Sequence, residues 1–521
     1  MQRIAVLAAA AAALIVTVAG LRWGTYAAGG SDSSCYALMA DAFAAGHLQP
    51  TSALAGRVPW PDAPKTFTPG GFVPSESNPS AFAPVCAPGF SVLLAPFIVI
   101  GGPDALFLLT PIAGGLLVWL AFIAGRAMAG PLAGAMAAVL VASSPVTLYQ
   151  VVQPMNDVTT AALWMATFIA LVRGRYSLAG ACCGLALLVR PNLLPLALVG
   201  GFAVGLRDWG LAIRNLTRFA ITAAPFALVV LWLNAELYGS PVRTGYGQLE
   251  QLFSLSAVSV NATRYFGWLV ETHTPFPLLA FAAPFVVPRE RRGEASLAIA
   301  LVLATCAIYF LYTPFDEWSY LRFLLPAIAL MLVLASAATV HAGTYVASRV
   351  SRTAPLHRTA ALGRTLIISA VTTALAAFCV RAADDLLAFD LKFLEQRYRS
   401  AGIVVRERLP KDAVVLSVWD SGAVRFHGRK EALAWSALDP AWLDRSLSWL
   451  EGQGHAPYIL LESWEEPAFR SRFGNHSDIG KLDWPPKYEI DRVVRIFDPR
   501  DRARYGRGEN VATEYLWPLR D

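Results

Sequence analysis

Apolar residues along this chain fall into long unbroken blocks, whereas a water-soluble helix or strand would alternate them with polar positions. Blocks of spanning or near-spanning length occur at 4–21, 104–125, 131–148, 157–173, 176–190, 192–207, 217–236, 275–288, 295–313, 321–346 and 364–381. About 20 helical residues cross a hydrocarbon core of roughly 30 Å. The pattern therefore predicts a helix bundle of about eleven spans, the shorter blocks extending into their flanks or enclosing a cavity. The first block follows Gln2 and Arg3, which raises a cleavable secretory signal as the alternative. A signal would need a shorter apolar region and a clear small-x-small site, so a retained first span is the expectation.

Basic residues set the orientation, because cytoplasmic loops collect Lys and Arg. Arg3, Arg126, Arg173, Arg175, Arg207, Arg214, Arg218, the "RERR" run at 289–292, Arg349, Arg352, Arg358 and Arg364 all fall on one side of an eleven-span chain. That side is expected to be the cytoplasm, with the N-terminus on it. The apolar stretch "GFSVLLAPFIVIG", 89–101, would invert every later loop if it spanned. It is read as a helix lying at the outer surface.

Three pieces are then left outside: 22–103, 237–274 and everything after about 382. The last becomes charged and shows short β-type runs ("AVVLSVW", "PYILLES", "RVVRIFD") separated by helical patterns. Strands alternating with helices predict a soluble α/β domain. The expected organisation is a membrane domain at 1–381, carrying the outer loop 22–103, and an extracytoplasmic α/β domain at 382–521.

Composition agrees with the pattern. Of 521 residues 55% are hydrophobic and 15% charged, against about a quarter charged in a soluble domain. The net charge of +6 has no Lys/Arg-rich run with interleaved aromatics, which leaves no case for nucleic acid. Cys182, Cys183, Cys306 and Cys379 lie in spans and read as small packing residues. Cys35 and Cys86 share the first outer loop, where an oxidising compartment would permit a disulfide. Asn215, Asn261 and Asn475 begin N-x-S/T triplets, which are frequent by chance.

Polar residues at the outer ends of spans are the candidates for chemistry. Asp32 follows Gly29, Gly30 and Ser31 and precedes the helical pattern "SSCYALMADAFAAG". It reads equally well as an N-cap and as a carboxylate fixed in place for catalysis. Asn156 and Asp157 start the fourth span, where an acid is also favoured by the helix dipole. Asp316, Glu317 and Arg322 bracket a short outer turn, and a pair between Arg322 and either acid is the simple structural account. Arg190, in "LLVRPNLLP", either reaches towards headgroups or holds a lipid phosphate through paired N–H donors.

Taken in order, the early outer Asp, the extended loop, "CAPGFSVLLAPF", "SSPVTLYQ", the "RPN" turn and "RFLLP" resemble the GT-C superfamily of integral-membrane glycosyltransferases. That superfamily includes protein O-mannosyltransferases and aminoarabinose transferases, and the resemblance covers residues 1 to about 345. It implies transfer of a sugar, with inversion, from a polyprenyl-phosphate donor to a glycan, lipid or protein acceptor of the cell envelope. It implies Asp32 as the catalytic base or as an acceptor-orienting group, and the alanine-rich composition points to a bacterial inner membrane as the location. Relatives often place a second acid beside the first, whereas here Ser33 follows Asp32, leaving Asp41, Asp157, Asp316 and Glu317 as second-acid or acceptor-binding candidates. The same departure gives no paired-acid support for a divalent metal, and no cofactor is otherwise called for. Arg190 and Arg322 are the candidates for the donor phosphate, and His47 ranks behind Asp32 as a base. The proline-rich loop 66–89 reads as a cover for a lipid-linked donor.

Two other classes compete with a transferase. A transporter or flippase of lipid-linked glycan should show repeats and mid-membrane polar residues, whereas these acids cluster at one face. A non-catalytic relative would keep the membrane fold and bind a partner through its outer domain.

Overall fold

The computed structural model describes residues 2–207, 210–247, 249–350 and 354–517. Arg352 lies outside them, as do the side chains of Arg207 and Arg358. The protein is mostly helical, and all eleven apolar blocks lie in helices. Six described helices are long and apolar enough to cross a membrane, or seven if a bent pair counts as one, and the protein is an integral membrane protein. It divides into two compact units, Met1–Gly24 with Phe107–Trp232 and Gly247–Leu391, and Thr25–Leu106 with Leu233–Tyr246 and Lys392–Asp521.

In the first unit the helix Leu325–Val350 is the buried centre, and Gln2–Arg22 packs on the stretch Leu109–Ser143. That stretch is two helices joined at Ala129 and Gly130, where Gly130 adopts φ +84°. A left-handed residue ahead of Pro131 favours glycine, which has no Cβ to clash. The two arms meet at small residues, since a Cβ on Gly134 would stand 2.7 Å from the Phe122 carbonyl oxygen. Such close approach is how membrane helices gain contact in a solvent that supplies no hydrophobic drive between them. Ser144 then caps a short helix, Pro145–Val151, and the chain turns by 120° into Asn156–Val172.

In the second unit the helix Gly30–Ala44 packs against Gly89–Gly101, with the Ser91 hydroxyl donating to the Tyr36 carbonyl at 2.9 Å. A disulfide joins Cys35 to Cys86. Strands β1 (Phe72–Pro74) and β2 (Phe82–Pro84) form a small antiparallel ribbon. The other six are β3 (Ala413–Leu416), β4 (Glu431–Leu433), β5 (Ala456–Glu462), β6 (Tyr488–Ile490), β7 (Val494–Phe497) and β8 (Glu514–Leu516). They form one mixed sheet in the order β4-β3-β5-β7-β6-β8. Both β4 and β5 run parallel to β3, on opposite sides of it, and β7 runs antiparallel to β5. Every residue of β3 and β5 is buried, which accounts for their continuous apolar sequence.

Candidate functional site

Two groupings of candidate residues emerge, one in each unit. In the first, the helix Tyr176–Val189 stops because Pro191 disfavours helical backbone at the residue before it, and Arg190 is accordingly extended. Its guanidinium meets Asp157, in the first turn of Asn156–Val172, at 2.6 Å. Asp157 is fully buried and Arg190 nearly so. The neighbouring Asn156 donates to the Val189 carbonyl at 3.2 Å, so the two chain segments are tied at consecutive residues.

The Arg190 guanidinium also lies 5.7 Å from the Tyr309 ring centre and 5.0 Å from that of Phe323. Arg322 lies 5.3 Å from the Phe323 ring and 5.2 Å from the Tyr320 ring. One aromatic ring is thus shared by the two arginines, a cation–π arrangement that holds guanidinium planes in fixed places. Asn192 donates to the Tyr309 hydroxyl at 3.1 Å, and Arg264 donates to the Phe315 carbonyl. Phe315 in turn stacks on Tyr320 with centroids 3.8 Å apart.

Asp316 and Glu317 stand exposed in the adjoining turn, and among the described residues neither takes an ion pair. Arg322 lies against the aromatic rings of Tyr320 and Phe323. The buried Asn261 lies within hydrogen-bond reach of the carbonyls of Tyr309, Phe310 and Tyr312, at 3.2, 3.2 and 2.6 Å. It satisfies carbonyls that the end of the helix Arg289–Leu311 leaves open, so this triplet is structural. Tyr309, Asn192, Arg264 and Phe323 were not singled out from the sequence. The available signal was the i, i+3 spacing of Asn261 and Arg264, which puts both on one helix face.

The second grouping surrounds Asp32. Gly29 is the N-cap of the helix Gly30–Ala44, so Asp32 is its third residue and lies exposed. The carboxylate belongs to the first turn, where the dipole favours it by about 0.3–1 kcal/mol, and the N-cap itself carries no side chain. The segment before the helix is held by Ala28, whose N–H donates to His427 Nε2 at 3.0 Å. Burial, with Arg399, Arg429 and Arg406 nearby, pulls the His427 pKa down to about 3. The imidazole is therefore neutral and an acceptor at this nitrogen.

Asp41, further along the same helix, is taken up by Arg429 through contacts of 2.5 and 3.1 Å. His47 is exposed beyond the helix end. The helix also meets a loop of the sheet domain, because a Cβ on Gly422 would stand 2.2 Å from the Ser34 Cβ, which admits only glycine there. Gly70 donates its N–H to the Ser421 hydroxyl at 3.0 Å, bringing the proline-rich loop to the same place. Among the described residues no three of His, Cys, Asp and Glu cluster as ligands for a metal ion, and no step below is routed through one.

No family model and no curated protein matches the chain. Among solved structures it is similar to ArnT from Cupriavidus metallidurans bound to undecaprenyl phosphate, at 15% identity and TM-score 0.56 over 90% of this chain and 95% of that one. It is likewise similar to the same protein in the apo state, at 15% identity and TM-score 0.55 over 94% of this chain and 97% of that one. A third similarity is to the oligosaccharyltransferase of Archaeoglobus fulgidus tethered with an acceptor peptide, at 12% identity and TM-score 0.53 over 92% of this chain and 72% of that one. These likenesses show the fold, which the chain shares with ArnT and with the archaeal oligosaccharyltransferase.

Proposed function

On the premise of that fold, we propose that this protein transfers a sugar from a polyprenyl-phosphate donor to a hydroxyl of a cell-envelope glycan, lipid or protein. The observation that carries the reading is the sharing of Phe323 by Arg190 and Arg322, with Asp157 fixing Arg190. Two guanidiniums on one ring form a compact cationic locus suited to a phosphate, and a solved structure of the same fold is bound to undecaprenyl phosphate.

In the proposed reaction Asp32 accepts the proton of the acceptor hydroxyl. The acceptor oxygen bonds to the anomeric carbon as the bond from that carbon to the phosphate oxygen breaks, and the configuration inverts. The electron pair stays on the lipid phosphate, which Arg190 and Arg322 stabilise as its charge develops. Because that leaving group is already a stable anion, no general acid is required. The distribution of its arginines supports a cytoplasmic N-terminus with Asp32 on the outer side, and the alanine-rich composition supports a bacterial inner membrane.

The test is transfer from radiolabelled polyprenyl-phosphate sugars in membranes carrying the native protein, Asp32→Asn or Arg190→Gln at matched amounts of folded protein. The reading requires loss of transfer with donor binding retained in Asp32→Asn, and weakened donor binding in Arg190→Gln. Native membranes that transfer nothing, yet move lipid-linked glycan between leaflets, would establish a transporter in its place.

A further inference from the structure

The sheet of the second unit carries a feature that the reaction above does not use. Strand β3 connects through the helix Ser421–Phe426 to β4 on one side of it, and the chain then returns to β5 on the other. A parallel sheet whose connections diverge in this way opens a crevice beyond the carboxyl ends of the two strands at the divergence, and ligands of open α/β sheets bind there. Here those ends are Leu416 and Glu462.

The two loops that leave them are chemically matched. The β3 loop presents Trp419 and Asp420, and the β5 loop presents Trp464 and Glu465, two and three residues after Glu462. Trp419 and Trp464 are about half exposed, and their rings meet at 5.3 Å. Asp420, next to Trp419 in sequence, is fully buried, and among the described residues neither of its carboxyl oxygens has a hydrogen-bond partner. Glu462 is held by Trp464 Nε1 at 2.8 Å and by Arg397 Nε at 3.0 Å. Glu465 accepts the Glu462 N–H at 2.9 Å.

Burial first, then Glu462 and Glu465, raises the Asp420 pKa well above the carboxylate range, so these acids share one locality. An unpartnered buried carboxyl and exposed tryptophan rings both cost free energy. Neither feature serves the packing of the sheet. Among the described residues no three of His, Cys, Asp and Glu group here as ligands for a metal ion.

The geometry points to a carbohydrate subsite at the diverging ends of β3 and β5, in which the apolar face of a pyranose rests on Trp419 and Trp464. The sugar's hydroxyls, which both donate and accept, satisfy Asp420, Glu462, Glu465 and Arg397. The occupant is the acceptor sugar, an assignment that rests on the transferase reading. The same β3 loop continues into Ser421 and Gly422, which abut the first turn of the helix carrying Asp32. Glu395, another acid facing Asp420, closes on Gly29 at the start of that helix, where an added Cβ would stand 2.4 Å from its Oε2.

Saturation-transfer NMR on the full chain in nanodiscs tests the subsite without needing catalysis. The probes are free oligosaccharides of glucose, mannose, galactose and N-acetylglucosamine, and separately undecaprenyl-phosphate-linked sugars in the disc. At least one free oligosaccharide should show transfer to its ring protons. That signal should fall tenfold or more in Trp419→Ala/Trp464→Ala, and return in part in Trp419→Phe/Trp464→Phe. No signal from any free sugar, or equal signals from native protein and the double alanine variant, would overturn the subsite. A tryptophan-dependent signal from the lipid-linked sugar alone would overturn the acceptor assignment. Should sugar binding persist where native membranes transfer nothing, the transferase reading fails and the subsite stands.

Discussion

Asp157 and Arg190, thirty-three positions apart, meet at 2.6 Å with the carboxylate fully buried and the guanidinium nearly so. Removing one partner of such a pair leaves the other charged in a medium that cannot solvate it, at a cost of about 3–5 kcal/mol. Asp157→Ala should therefore destabilise the first unit by an amount of that order. Thermal unfolding in detergent measures it, and a change below about 1 kcal/mol would mean that water already reaches the pair.

Asp41 and Arg429 form a pair of a different kind, since both side chains are partly exposed. Its contribution should be at most about 1 kcal/mol. Asp41→Asn is expected to leave sugar transfer within a factor of two of native, while Asp32→Asn lowers it by about 10²–10⁴, the range of general base catalysis. Equal losses in the two variants would remove Asp32 from its special place.

The disulfide between Cys35 and Cys86 closes a loop across a sequence separation of 51. Cross-links of this kind typically contribute about 2–4 kcal/mol by constraining the unfolded chain. The double variant Cys35→Ser/Cys86→Ser should unfold the second unit at a lower denaturant concentration. Denaturant unfolding followed by tryptophan fluorescence checks this, and an unshifted midpoint would count against a stabilising role.

Acid sensitivity should reflect two opposed groups. Burial raises the Glu465 pKa from its ordinary 4.5 to about 7, so the folded state binds a proton more readily than the unfolded state does. Its contribution is fully present below pH 4.5 and is lost as pH rises through about 7, a change on the order of 3 kcal/mol. His427, lowered to about 3 from 6.5, acts in reverse and loses stability as pH falls across that interval. Comparing native protein with Glu465→Gln isolates the first. The native-minus-variant stability should decline between pH 4.5 and 7, and a flat difference would show that Glu465 titrates normally.

Much of the membrane architecture was legible because burying apolar sequence in lipid is a local requirement. A block of twenty apolar residues has few other destinations, and the breaks at Gly130, Pro145 and Pro191 act through the backbone of their immediate neighbours. The strands of the C-terminal region were legible for a related reason, since buried parallel strands carry continuous apolar runs.

Sequence also supplied Asp32, Asp157, Arg190 and Arg322 as separate candidates, each a charge at the end of an apolar block. Only tertiary structure decided which of them meet, because the Asp157–Arg190 pair and the shared ring of Phe323 depend on how three distant segments pack. It likewise decided that residues 25–106 and 392–521 belong to one compact unit, and that Trp419 and Trp464 come together from adjacent strands. Local pattern records what each segment must bury, whereas a site is made by contacts between segments, and no periodicity along the chain encodes those.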